Sequence, residues 1–299
     1  MTLDYLAYDR ARQRVWVPAG DTGTVAVFDR ADDHMMVVPG FATAEVERHG
    51  GKRRVGPSSA TVGEGTVYVG NRADSSVCAV DAVSLRRGAC ITLASAPDGL
   101  AYVAAMKEVW VTTPRDRAIT ILDAANPLRL TTKGKIALAG APEGYAVDDA
   151  QGVFYTNLED GDRTLAIAVA SRRITSTWQP ECGAAGPRGL AFDPAFHMLV
   201  VACTDHLVAL DVVHDGAVRS SLPIGDGIDN LDLLASRHEV YAAAGRAATL
   251  SIVRLDAQGQ LSPRATVPTR AGARNAVVTD EGVAYLTDAA GGQLLVVTP

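Results

Sequence analysis

Residues 141–160 read APEGYAVDDAQGVFYTNLED. Two apolar-rich runs, EGYAVD and GVFYTN, flank a short polar turn, the pattern of a strand, a tight turn and a second strand. Yet the first strand opens on a carboxylate, Glu143, where a core strand would carry an apolar side chain. The stretch APDGLAYVAAMKEVWVTT (residues 96–113) repeats the arrangement, with Asp98 in the corresponding place. A charge at one position of a repeated unit shows where that unit meets water.

Aligned against itself, the chain contains this unit seven times. The first segment recurs as DYLAYD from Asp4, SSATVG from Ser58, DGLAYV from Asp98, EGYAVD from Glu143, RGLAFD from Arg188, DNLDLL from Asp229 and RNAVVT from Arg274. Successive starts lie 54, 40, 45, 45, 41 and 45 residues apart. A second segment follows 10 to 12 residues later in each unit, at Trp16, Tyr68, Trp110, Phe154, Leu199, Tyr241 and Tyr285. A third alternates, as in VAVFD, VCAVD, ITILD and LVALD, and a weaker fourth closes most units. Four short β-rich segments per unit of about 40 to 45 residues define a β-propeller blade. Helical periodicity is absent, so the expected fold is all-β, a single seven-bladed propeller domain over residues 1–299. Only 26 residues run from Arg274 to Pro299, which predicts a seventh blade without its outer strand.

Units such as VWVPAGDTGTVAVFD, TVYVGNRADSSVCAVD and GVFYTNLEDGD resemble the YVTN-repeat, YncE-like family of bacterial β-propellers. The resemblance spans essentially the whole chain, but its motifs define a fold and no chemistry. It implies seven blades and a protein often exported to the periplasm. WD-repeat propellers fit less well, because no unit carries their Gly-His and Trp-Asp pairs.

Composition narrows the function classes. The chain has 47% hydrophobic residues and a net charge of −6 with both signs scattered, which argues against a nucleic-acid surface. The basic run RHGGKRR (residues 48–54) reads as a solvated loop. No apolar run of about 18 residues is present, so no membrane span is expected. The chain shows no signal peptide, and Met1 leads almost directly into a strand, so an export signal would have been removed beforehand. Neither CxxC nor HxxxH spacing occurs, which speaks against an ordinary zinc site.

In a propeller the first strand of each blade begins at one mouth of the central channel. The seven first residues, Asp4, Ser58, Asp98, Glu143, Arg188, Asp229 and Arg274, are therefore expected to ring that mouth. Loops on the same face add Asn71, Arg72 and Asp74 from GNRAD and Asn157, Glu159 and Asp160 from TNLED. Two readings stay open for this ring. Its charges either pair and steady neighbouring blades, or they hold a ligand. Asp98 and Glu143 have no arginine between them in the ring, which favours a ligand or cation there. The expected function is recognition of a small polar or ionic ligand, or of a protein partner. The alternative is a hydrolase of lactones or phosphoesters. It would be metal-dependent, because the carboxylates of Glu143, Asp98 and Asp229 with the Asn157 carbonyl make a hard oxygen set suited to Ca²⁺ or Mg²⁺. PEG and PDG also faintly resemble the six-bladed regucalcin-like propellers, which implies one divalent cation in the channel. His206, beside Asp205, reads as a solvated turn histidine, and Ser58 and Ser59 lack the setting of a nucleophile. Trp16, Tyr68, Trp110 and Tyr241 read as packing between blades.

The insertion behind the 54-residue spacing, TAEVERHGGKRR, reads as a loop between the first two blades, either a lid or partner contact or a spacer. Cys78 and Cys90 flank the hairpin of one blade at equal distance from its turn, and Cys182 and Cys203 sit at one end of another. Two disulfides, each local to a blade, are expected, with four buried thiols as the alternative. Disulfides would fit a periplasmic or secreted protein.

Overall fold

The computed structural model describes residues 5–48 and 51–298. Asp4 lies outside the described residues. Among them there is no α-helix, and the chain forms seven successive antiparallel sheets, each a meander in chain order. The protein is a seven-bladed β-propeller. It divides into two compact units, one up to Leu138 and one from Ala139 onward. The first unit holds blades 1 to 3 (residues 7–38, 57–92 and 100–137). The second holds blades 4 to 7 (residues 142–178, 190–223, 228–268 and 276–297). Among the described residues blade 7 has three strands, Ala276–Val278, Ala284–Asp288 and Gln293–Val297, where the other six blades have four.

Burial explains the segment types. Second strands such as Glu108–Thr113 and Glu239–Ala244 are buried along their whole length, so they read as continuous runs of Val, Ala and aromatic residues. Outer strands such as Thr131–Ala137 are mostly exposed and carry Lys, Arg, Thr and Ser. Trp16, Tyr68 and Tyr241 are essentially buried and pack against the next blade within their unit. Tyr68 stacks on Tyr102, and its hydroxyl reaches the Ala124 carbonyl at 3.4 Å. The Tyr241 hydroxyl reaches Gly282 at 3.3 Å. Trp110 is also buried and donates to Glu108 within its own blade at 2.9 Å.

The aspartates that end strands are turn formers. Asp81 accepts the backbone N–H groups of Val83 and Ser84, Asp148 those of Ala150 and Gln151, and Asp193 those of Ala195 and Phe196. A short carboxylate here satisfies the donors of a tight turn that the ladder leaves unpaired. The recurrent terminal Asp of VCAVD, EGYAVD and RGLAFD is thus a local folding signal. In blades 2 to 6 the pairing of the third and fourth strands carries a register shift. Such bulges twist an outer edge away from edge-to-edge pairing.

Both disulfides are present, Cys78–Cys90 and Cys182–Cys203, with Cα separations of 4.0 and 5.2 Å. Cys78 and Cys90 are direct cross-strand partners. The insertion after blade 1 differs from expectation. It is a β-hairpin, Ala44–Arg48 paired with Gly51–Val55, in place of a loop. Its register sets Glu45 opposite Arg54 and Glu47 opposite Lys52. These opposite-charge cross-strand pairs account for a strand made of so many charges.

Candidate ligand-binding site

In blades 2 to 7 the first residue of the repeat leaves the regular strand ladder in one of two ways. In blades 2, 4 and 6 the first strand shifts register against the second, between Pro57 and Ser59, Pro142 and Tyr145, and Ile228 and Leu231. The bulge frees Ser58, Glu143 and Asp229 from regular alternation. In blades 3, 5 and 7 the first strand begins only at Leu100, Leu190 and Ala276. Asp98, Arg188 and Arg274 lie just upstream of it.

Within the second unit the first strands are tied at this position. The N–H of Gly144 donates to Arg188, that of Gly189 to Asp229 and that of Asn230 to Arg274, at 3.2, 2.8 and 3.4 Å. The backbone approach requires glycine. A Cβ on Gly144 would lie 2.3 Å from the Arg188 carbonyl oxygen, and one on Gly189 would lie 2.7 Å from Asn230 Cα. Asn157 reinforces the same joint. Its buried amide nitrogen donates to the Arg188 carbonyl at 2.7 Å, while its Oδ1 accepts from Thr164.

These joints bring three repeat-leading residues to one cavity of about 910 Å³ in the second unit, lined by Arg188, Asp229, Arg274, Thr204 and Arg246 among others. Each guanidinium is anchored by a carboxylate. Arg188 pairs with Glu159, Arg274 with Asp229 at 3.3 Å, and Arg246 with both oxygens of Asp226 at 2.7 Å. The hydrogen bonds from Arg246 hold the Asp226 carboxyl below the usual carboxylate range, and Asp226 raises Arg246 in turn. The glycines of the lining, Gly227, Gly245 and Gly272, bring no side chain, and a Cβ on Gly272 would meet open space.

The remaining candidates lie elsewhere. In the first unit Asp98 pairs with Arg72, which corrects the expectation that it stands without an arginine. The arginine comes from the GNRAD loop and not from the ring. Asn71 is buried, donating to the Ala42 carbonyl and accepting from Ala73. Ser58 is buried at 1% exposure. Glu143, on the bulge of blade 4, is partly buried and does not line the cavity. Among the described residues, the one group of three side chains close enough to share a metal is Cys182, Cys203 and His206. The disulfide commits both of its sulfurs. His206 hydrogen-bonds Asp205 at 2.7 Å and is partly buried.

Sequence reasoning missed Arg246. It follows the second strand of blade 6 in AAAGRAAT, much as Arg72 follows that of blade 2 in YVGNRAD. The loop rule that selected Arg72 therefore reaches it.

No protein-family model matches the chain, and no curated protein matches it. Solved structures do. Hydrazine synthase of Kuenenia stuttgartiensis is 14% identical with a TM-score of 0.82, covering 100% of this chain and 96% of that one. A chain of the mitotic checkpoint complex is 14% identical with a TM-score of 0.80, covering 99% and 86%. Virginiamycin B lyase of Staphylococcus aureus is 12% identical with a TM-score of 0.73, covering 96% and 92%. At these identities the likeness is one of fold.

Proposed function

We propose that the protein is an exported propeller of the YVTN-repeat, YncE-like type whose seven blades act as one binding module. It recognises a small polar ligand in the cavity of Arg188, Asp229, Arg274 and Arg246. The observation that carries this reading is the convergence of repeat-leading residues from three successive blades on one cavity. Its volume falls in the range of small-molecule sites. Polar groups that only steadied blades would need no shared empty space. Export is supported by two disulfides, which persist in oxidising compartments. Among the described residues no helix is long and apolar enough to cross a membrane.

The test is a thermal-shift screen of polar metabolites against the wild type and Asp229→Ala. Compounds that raise the Tm of the wild type and fail to raise that of the variant support the site. A screen without hits, or hits that stabilise both proteins equally, contradicts it.

A further inference from the structure

We infer that the ligand of this cavity is a small multivalent anion, carrying two or more carboxylate or phosphoryl groups; this rests on the binding reading above. The charges of the lining are unequal. Three arginines, Arg188, Arg246 and Arg274, face one carboxylate, Asp229. The acids that anchor Arg188 and Arg246, Glu159 and Asp226, are not part of the lining. Two of the three counter-charges therefore sit outside the cavity, and the third, Asp229, pairs with Arg274 at its wall.

A guanidinium offers five N–H donors in a planar fork, and a carboxylate takes at most two of them along one edge. Arg188 and Arg246, each held from one side by an acid, are thus pre-set to present the other edge. That is the chemistry of bidentate recognition of carboxylate and phosphate. Between the arginines the lining supplies Gly227, Gly245 and Gly272, which leave room and compete for no hydrogen bond through a side chain. Thr204 adds a hydroxyl suited to an anionic oxygen. Three cations around a cavity of about 910 Å³ call for several anionic groups on one molecule, where a single inorganic monoanion would satisfy only one. The chain as a whole carries a net charge of −6, so anion uptake would be a local property of this cavity and not of the protein surface.

The test is calorimetric titration at constant ionic strength with citrate, pyrophosphate, acetate, glucose and spermidine. The wild type, Arg188→Gln and Arg246→Gln are compared, each checked for folding by circular dichroism. Arg246 is 65% exposed in its side chain, so its variant carries the test if Arg188→Gln does not fold. The expected result is one-to-one binding of citrate or pyrophosphate over acetate. Affinity should fall about tenfold or more in each folded variant, the loss of a charge-assisted hydrogen bond. Citrate alone would assign polycarboxylates, and pyrophosphate alone would assign phosphorylated compounds. Binding of glucose or spermidine that Arg188→Gln or Arg246→Gln abolishes would overturn the anion while leaving the site in place. No binding by citrate or pyrophosphate, or binding the variants do not change, would also overturn the inference; whether the site itself stands is then decided by the metabolite screen.

Discussion

Replacing both cysteines of one pair by alanine opens a disulfide that is local to a single blade. Cys78–Cys90 closes a loop of sequence separation 12, and Cys182–Cys203 one of 21. In the chain-entropy description, loops of these lengths contribute about 2.8 and about 3.3 kcal/mol by restricting the unfolded chain. For a chain of 299 residues the entropy of unfolding is on the order of 0.6 kcal/mol/K, so about 3 kcal/mol corresponds to a fall of about 5 °C in Tm. Cys78 and Cys203 are fully buried, so a serine there would add the cost of an unpartnered hydroxyl. Alanine isolates the crosslink better. Thermal unfolding of Cys78→Ala/Cys90→Ala and Cys182→Ala/Cys203→Ala should show both falls, the second equal or slightly larger. Thiol titration of the unfolded, unreduced wild type should find no free thiol. Four free thiols, or double variants that melt within about 1 °C of the wild type, would refute the reasoning and remove the main support for export.

Three further outcomes follow from particular contacts. Burial alone would raise the pKa of Asp211, but hydrogen bonds from Arg219, His214 and the backbone of His214 and Val213 outweigh it and hold the carboxyl at about 2. A carboxylate near 2 instead of about 3.9 contributes stability above pH ~4 that is lost as pH falls toward 2. Its partners are partly solvated, so screening reduces the contribution to about 1–1.5 kcal/mol. Urea unfolding of Asp211→Asn should show that deficit at pH 7 and almost none at pH 2, and a deficit independent of pH would contradict this. Gly144→Ala should cost about 2–3 kcal/mol by chemical denaturation, because its Cβ meets the Arg188 carbonyl oxygen at 2.3 Å; a neutral effect would mean the joint between blades 4 and 5 is loose. Asp98, Asp229 and Asn157 are each engaged by protein partners. Excess chelator is therefore expected to leave Tm within about 1 °C, and a fall of several degrees reversed by Ca²⁺ would contradict this and favour a cation site.

The fold was legible because its signals are local and repeated seven times. The second strand gives an aromatic or large apolar residue at a fixed place, and the terminal aspartate marks the turn. The short seventh blade followed from counting residues after Arg274. The insertion was misread because its hairpin is built from charged pairs, Glu45 with Arg54 and Glu47 with Lys52, and carries no apolar alternation to announce a strand. At the site, the repeat register was enough to group Arg188, Asp229 and Arg274. It was not enough to say which acid each arginine meets. Arg188 reaches Glu159 on a neighbouring loop, and Asp98 is met by Arg72. These pairings depend on side-chain reach across blades, which the sequence period does not encode. Asn157 was read as a ligand-binding residue from its loop position. Its amide holds the Arg188 carbonyl, a role visible only once the strands approach as closely as Gly144 and Gly189 allow.

The central claim is that the cavity of the second unit is where a ligand sits. A crystal structure of the protein with a saturating concentration of the most strongly stabilising compound from the metabolite screen tests it directly. The account predicts density for the compound inside the cavity, with its polar groups on Arg188 and Arg274. Density for the compound at another place, with Arg188 still paired only with Glu159 and Arg274 with Asp229, would contradict it.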